Sequence, residues 1–137
     1  MDKIEHIGIA VKDLSYSSDL YTRLLGYKRY KTEEVGSENV ITEFFKIGNS
    51  KIELLQALSG ESAIAKFIEK RGEGIHHIAF AVDNIVDEMA RLKEQGFQLL
   101  SEQPRKGADN KLVCFVHPKT TSGVLVELCQ EIEEINI

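Results

Sequence analysis

No apolar run in this 137-residue chain approaches the ~18–20 residues that a membrane-spanning helix needs. The amino terminus has no apolar h-region. Met1-Asp-Lys-Ile-Glu5 enters a strand pattern at once, so no signal peptide is expected. Cysteine is scarce: Cys114 and Cys129 stand apart in apolar segments without CxxC spacing, which predicts buried free thiols in a reducing cytoplasm. Positive charge is not in excess either. A net charge of −5 argues against nucleic acid, whose binding requires clustered cations. Low-complexity segments and a domain-separating linker are also missing, so one domain over 1–137 is expected. What is present is an ordinary soluble composition, 42% hydrophobic and 28% charged. The length suffices to bury roughly two-thirds of the unfolded surface without disulfides.

Set against these absences is a repetition. His6-Ile-Gly-Ile-Ala-Val11 returns half a chain later as His77-Ile-Ala-Phe-Ala-Val82. Ile52-Glu53-Leu54-Leu55-Gln56 returns as Val126-Glu127-Leu128-Cys129-Gln130. Each copy opens on a strand-borne histidine and closes on a strand-borne glutamate. The first copy reads as a strand over 3–11, a helix over 15–25 with Ser15 as N-cap and Gly26 as stop, then strands over 27–34, 39–47 and 51–57. A helical segment over 61–70 bridges to the second copy. That copy reads as a strand over 75–82, a helix over 84–95, and strands near 97–101, 111–117 and 123–129. Pro104 to Asn110 reads as a polar loop or hairpin, and 131–137 as a frayed acidic tail. The pattern predicts an α+β fold of two βαβββ modules, about 3–57 and 75–130. They would form one curved mixed sheet with helices on the outer face.

Side-chain alternation then sorts the faces. His6 shares a face with Gly8 and Ala10, and His77 with Ala79 and Ala81, while the bulky Ile7, Ile9, Val11, Ile78, Phe80 and Val82 point the other way. The bulky side should carry the helix, and the histidine side should leave a hollow. Glu53 and Glu127 each interrupt an apolar strand, where a carboxylate is costly unless paired or ligated. Taken singly, each histidine reads as a core residue satisfied by backbone and each glutamate as half of an ion pair. Taken together, His6, Glu53, His77 and Glu127 form a borderline N/O set suited to Zn, Ni, Co, Fe or Mn. Parity turns His76 to the opposite face, as a structural residue. His117, ahead of Pro118, reads as a loop hydrogen-bonder.

These stretches resemble the vicinal oxygen chelate superfamily over about residues 3–130, and within it the methylmalonyl-CoA epimerase family. The resemblance rests on His6-Ile-Gly-Ile-Ala-Val-Lys-Asp-Leu14, Lys51-Ile-Glu-Leu-Leu55, Glu61-Ser-Ala-Ile-Ala-Lys-Phe67, Gly72-Glu-Gly-Ile-His-His-Ile-Ala-Phe80 and His117-Pro-Lys with Gly123-Val-Leu-Val-Glu-Leu128. It implies a divalent metal on His6, Glu53, His77 and Glu127, and epimerisation at the C2 of an acyl-CoA by proton removal and return. Glu127 would serve as ligand and base. Glu43 is the nearest candidate for a second base, although an ungapped alignment sets Thr42 at that place; its other reading is a solvent-facing strand residue. The resemblance further implies an acyl-CoA partner with phosphates near Lys106, Lys111 or Lys119, a homodimer, and a cytoplasmic enzyme. Two rivals share the fold: glyoxalase I, with a similar metal set, and a non-catalytic small-molecule binder.

Overall fold

The structure is a computed structural model and describes residues 1–132. Its elements run β1 (Lys3–Ala10), α1 (Leu14–Leu25), β2 (Lys31–Val35), β3 (Val40–Ile47), β4 (Ser50–Ala57), α2 (Ala63–Arg71), β5 (Gly74–Ala81), α3 (Ile85–Glu94), β6 (Arg105–Lys106), β7 (Lys111–Val116) and β8 (Val126–Glu131). The hydrogen-bonded strand order is β2-β3-β4-β1-β5-β8-β7-β6, a mixed sheet in an α+β fold. β1 pairs in parallel with β4, and β5 in parallel with β8. The hairpin pairs β2–β3, β3–β4, β6–β7 and β7–β8 are antiparallel. The chain divides into two compact units, His6–His77 and Met1–Glu5 with the stretch from Ile78 onward. Of the tail expected over 131–137, Glu131 instead closes β8, and the residues from 133 on lie outside the described residues.

In the His6–His77 unit, α1 covers the bulky face. Val11, Leu14, Phe45 and Leu54 form its buried core, joined by Ile9, Tyr21, Leu25, Ile41 and Ile52. The helix begins one residue earlier than the sequence suggests. Asp13, not Ser15, is the N-cap, its carboxylate accepting from the Tyr16 N–H at 3.1 Å. Gly26 ends it in the left-handed region, φ 86°, where its N–H returns to the Thr22 carbonyl.

The unit from Ile78 onward repeats the plan. Asn84 caps α3, its side chain accepting from the Asp87 N–H at 3.1 Å. Its Ile85, Met89 and Leu92 pack on Val82, Cys114, Val116 and Leu128, while Ala79, Val113 and Cys129 cluster separately. One expected strand is absent among the described residues: 97–101 contributes only a lone bridge, Leu99 to Val116. Phe97 and Leu99 are drawn into the α3 core, and Pro104, which has no N–H to donate, follows close behind. The pairing is taken over by the two-residue β6, within the segment read as a polar loop.

The repeat extends to single hydrogen bonds. Gln56, just beyond Leu55 on β4, accepts from the Leu14 N–H at 2.7 Å; Gln130 on β8 accepts from the Ile85 N–H at 2.7 Å. Each glutamine so satisfies the first donor of its own helix, one of the amides that no intrahelical carbonyl reaches.

Candidate metal centre

Register fixes the faces of the site. On β1 and β4, Gly8 pairs with Glu53; on β5 and β8, Ala79 pairs with Glu127. His6 lies two residues before Gly8 and His77 two before Ala79, so each glutamate shares a sheet face with the histidine of its own copy. The two pairs stand in the same relation, as the sequence repeat predicts.

Within the His6–His77 unit, three of the expected residues meet. His6 Nε2 and His77 Nε2 face each other at 2.9 Å, with the rings edge to face. Glu53 Oε2 lies 2.9 Å from the other ring nitrogen of His6, Nδ1. All three side chains are buried, at 4–5% exposure. Gly8 makes room for them. A Cβ there would lie 2.2 Å from His77 Cε1 and 2.6 Å from both ring nitrogens, so glycine is the residue that lets the ring sit against the β1 backbone.

In the other unit, Glu127 is buried on β8, and the Cys129 thiol donates to its Oε1 at 2.9 Å. The thiols are free and buried as expected, but the role of Cys129 as a donor is legible only from structure. Parity places it beside Glu127, as the i, i+2 neighbour on the same strand face; the hydrogen bond is what the structure adds.

His76 departs from the expectation. Although it precedes His77 by one residue, its Nδ1 lies 2.9 Å from the Nδ1 of His77, ring against ring at 90°. Nδ1 is the ring nitrogen nearer the backbone, so neighbours leaving opposite faces can still join these atoms at the strand edge. The Phe67 ring on α2 meets His76 in a T-shaped contact, with centroids 5.0 Å apart.

Glu43, the candidate for a second base, lies on the face of β3 opposite to the histidines. It pairs with Thr32 and Leu54, so it points to the α1 face, opposite to Glu53. It is not solvent-facing either: at 7% exposure it sits 3.5 Å from Arg29 Nε and borders a cleft lined by Ser18, Asp19 and Thr22 of α1. The site face of β3 is occupied by Thr42, which is fully buried, its hydroxyl without a hydrogen-bond partner. Of the three lysines, Lys111 is engaged with Glu131 at 3.7 Å and lies close to the Asp109 carbonyl, while Lys106 and Lys119 lie on β6 and in the turn after β7. His117 is the loop hydrogen-bonder expected, its Nδ1 accepting from the Lys119 N–H at 3.1 Å.

A family model described as the glyoxalase/bleomycin resistance protein/dioxygenase superfamily matches residues 5–115. The chain belongs to this superfamily. Among its members, the ethylmalonyl-CoA/methylmalonyl-CoA epimerase of Cereibacter sphaeroides is 41% identical, across 93% of this chain and 97% of that protein. Two solved structures superpose with a TM-score of 0.93. One is a hypothetical protein of Bacillus halodurans, 44% identical over 98% of both chains. The other is Streptomyces coelicolor methylmalonyl-CoA epimerase in complex with 2-nitronate-propionyl-CoA, 32% identical over 100% of this chain and 99% of that one. As for membranes, no helix among the described residues is long and apolar enough to cross one.

Proposed function

We propose that this protein is a divalent-cation-dependent epimerase that moves the C2 proton of methylmalonyl-CoA or a related acyl-CoA, with His6, Glu53, His77 and Glu127 holding the cation. The observation that carries the reading is the duplicated register, Gly8 with Glu53 and Ala79 with Glu127, together with the 2.9 Å approach of His6 Nε2 and His77 Nε2. The donor chemistry fits a borderline divalent ion: imidazole nitrogens and buried carboxylates, which are costly in an apolar strand without a positive partner. Full-length similarity to acyl-CoA epimerases supports the substrate class.

The chain's own groups divide the work. When bound, the cation supplies positive charge beside the substrate oxygens on which negative charge gathers as the C2 proton leaves. Glu127 takes that proton as general base. The Cys129 thiol on its Oε1 fixes the plane of the carboxylate, which is what a positioned base requires. Glu43, the candidate for returning the proton on the opposite face, pairs with Leu54 on the α1 side of β3 and would have to act from there. Lys106, Lys111 and Lys119 are the cations offered to the phosphates of the coenzyme A handle.

Proton–deuterium exchange at C2 of methylmalonyl-CoA, followed by NMR in deuterated buffer, tests this directly. Metal-loaded protein should exchange the proton and chelator-treated protein should not. Glu127→Ala should slow exchange by at least ~10²-fold, the ordinary contribution of a positioned base. A loaded protein that leaves C2 untouched would sink the assignment.

A further inference from the structure

Four side chains of the His6–His77 unit form one chain of contacts. Glu53 Oε2 is 2.9 Å from His6 Nδ1, His6 Nε2 is 2.9 Å from His77 Nε2, and His77 Nδ1 is 2.9 Å from His76 Nδ1. Every link joins two atoms of which one carries the proton, and a neutral imidazole has one N–H and one lone pair. An ionised carboxylate only accepts. His6 therefore bears its hydrogen on Nδ1 and accepts at Nε2. It follows that His77 donates from Nε2 and accepts at Nδ1, and that His76 donates from Nδ1. All three links are satisfied by neutral rings in this arrangement, with the protons assigned from the bonding pattern.

A cation between the histidines requires a lone pair on both Nε2 atoms. His6 already offers one; His77 does not. We infer that His76 is a positioning residue for the cation site: its Nδ1 accepts the hydrogen bond from the Nδ1–H that His77 must carry when its Nε2 turns to a metal. His77 shifts its hydrogen from Nε2 to Nδ1, and His76 shifts its own from Nδ1 to Nε2. The number of protons is unchanged and every ring stays neutral. Glu53 does the same service for His6 from the outset, so only one half of the pair needs to rearrange. The packing suits this task. Phe67 meets His76 in a T-shaped contact and locates the ring without competing for either nitrogen's proton, being apolar. An aliphatic residue at position 76 would remove this acceptor from the Nδ1–H of His77, and partners of this kind are typically worth 10–100-fold in metal affinity.

The inference rests on the reading that His6 and His77 hold a cation, and two measurements with Zn(II), which is diamagnetic, separate the two ideas. In 15N spectra of histidine-labelled protein, zinc should invert the tautomers of both His77 and His76 and leave that of His6 unchanged. In chelator competition, His76→Leu should bind zinc roughly 10–100-fold more weakly than wild type. His76→Asn, whose Oδ1 lies about where the ring's Nδ1 was, should recover most of that loss. Zinc binding with an unmoved His76 tautomer, or with equal affinity in His76→Leu, overturns the positioning role alone. No zinc binding by the wild type overturns both that role and the cation reading beneath it.

Discussion

Gly8 shows how much of the site depends on one missing methyl group. The His77 ring occupies the place where any Cβ at position 8 would project, with the nearest ring atom 2.2 Å away. The neighbour is an imidazole held at both nitrogens, so it has nowhere inexpensive to go. Gly8→Ala is expected to destabilise the fold by about 1–3 kcal/mol through overpacking. It should also weaken zinc binding, because the ring must leave the chain of contacts joining Glu53 to His76. Chemical denaturation of Gly8→Ala, His77→Ala and the double variant checks the cause. Removing the ring should cancel most of the cost of the methyl group, a coupling energy confined to residues in contact. Equal penalties in both backgrounds would place the strain elsewhere. The composition of the strand, small residues beside a histidine, was enough to expect open space on that face. That the space is filled by the other histidine ring could not be read from one strand at a time.

At the level of elements, the repeat is a repeat of connections and not only of residue types. Gln56 and Gln130 do the same thing in the two copies, each accepting with its side chain from the first amide of the preceding helix. Gln56→Ala should leave the Leu14 N–H without its partner and cost about 1 kcal/mol, within the range for a lost helix-end bond. Gln130→Ala should cost a similar amount at Ile85. Thermal melts of the two single variants and the pair should show additive losses, since the two bonds share no partner. If neither variant shifts the midpoint, water replaces the side chain and the glutamines are not structural. Strand parity carried most of what was legible here. It set the helices on the bulky faces and placed Glu53 with His6, because alternation holds wherever the ladder is regular. The face of Glu43 waits on register: pairing with Leu54 sends it to the helix side, and only the hairpin's offset, not the sequence of β3, decides that. Parity failed at His76, where the contact is made sideways along the strand, and at 97–101, where apolar residues serve a helix core without forming a ladder.

For the molecule as a whole, the proposed ligand set takes one histidine and one glutamate from each copy of the repeat. Neither pair alone fills a coordination shell, so duplication is what makes a cation site of this kind available to a chain of 137 residues. A ligand that binds the native state and not the unfolded chain stabilises it by mass action, by about 2.7 kcal/mol at a hundredfold excess over its dissociation constant. For a domain of this length each kilocalorie is worth a few degrees, so loading should raise the melting temperature by roughly 10 °C. Calorimetry should show that rise with zinc or cobalt and its reversal by a chelator. Removing one contributor from either copy, as in Glu53→Ala or Glu127→Ala, should shrink it in both cases. A shift that survives Glu127→Ala but vanishes in Glu53→Ala would instead assign the cation to the first copy alone, and would leave Glu127 the single role of base. That outcome would separate the two jobs the proposal gives to one carboxylate: kinetics alone cannot, since losing a ligand and losing a base both abolish turnover.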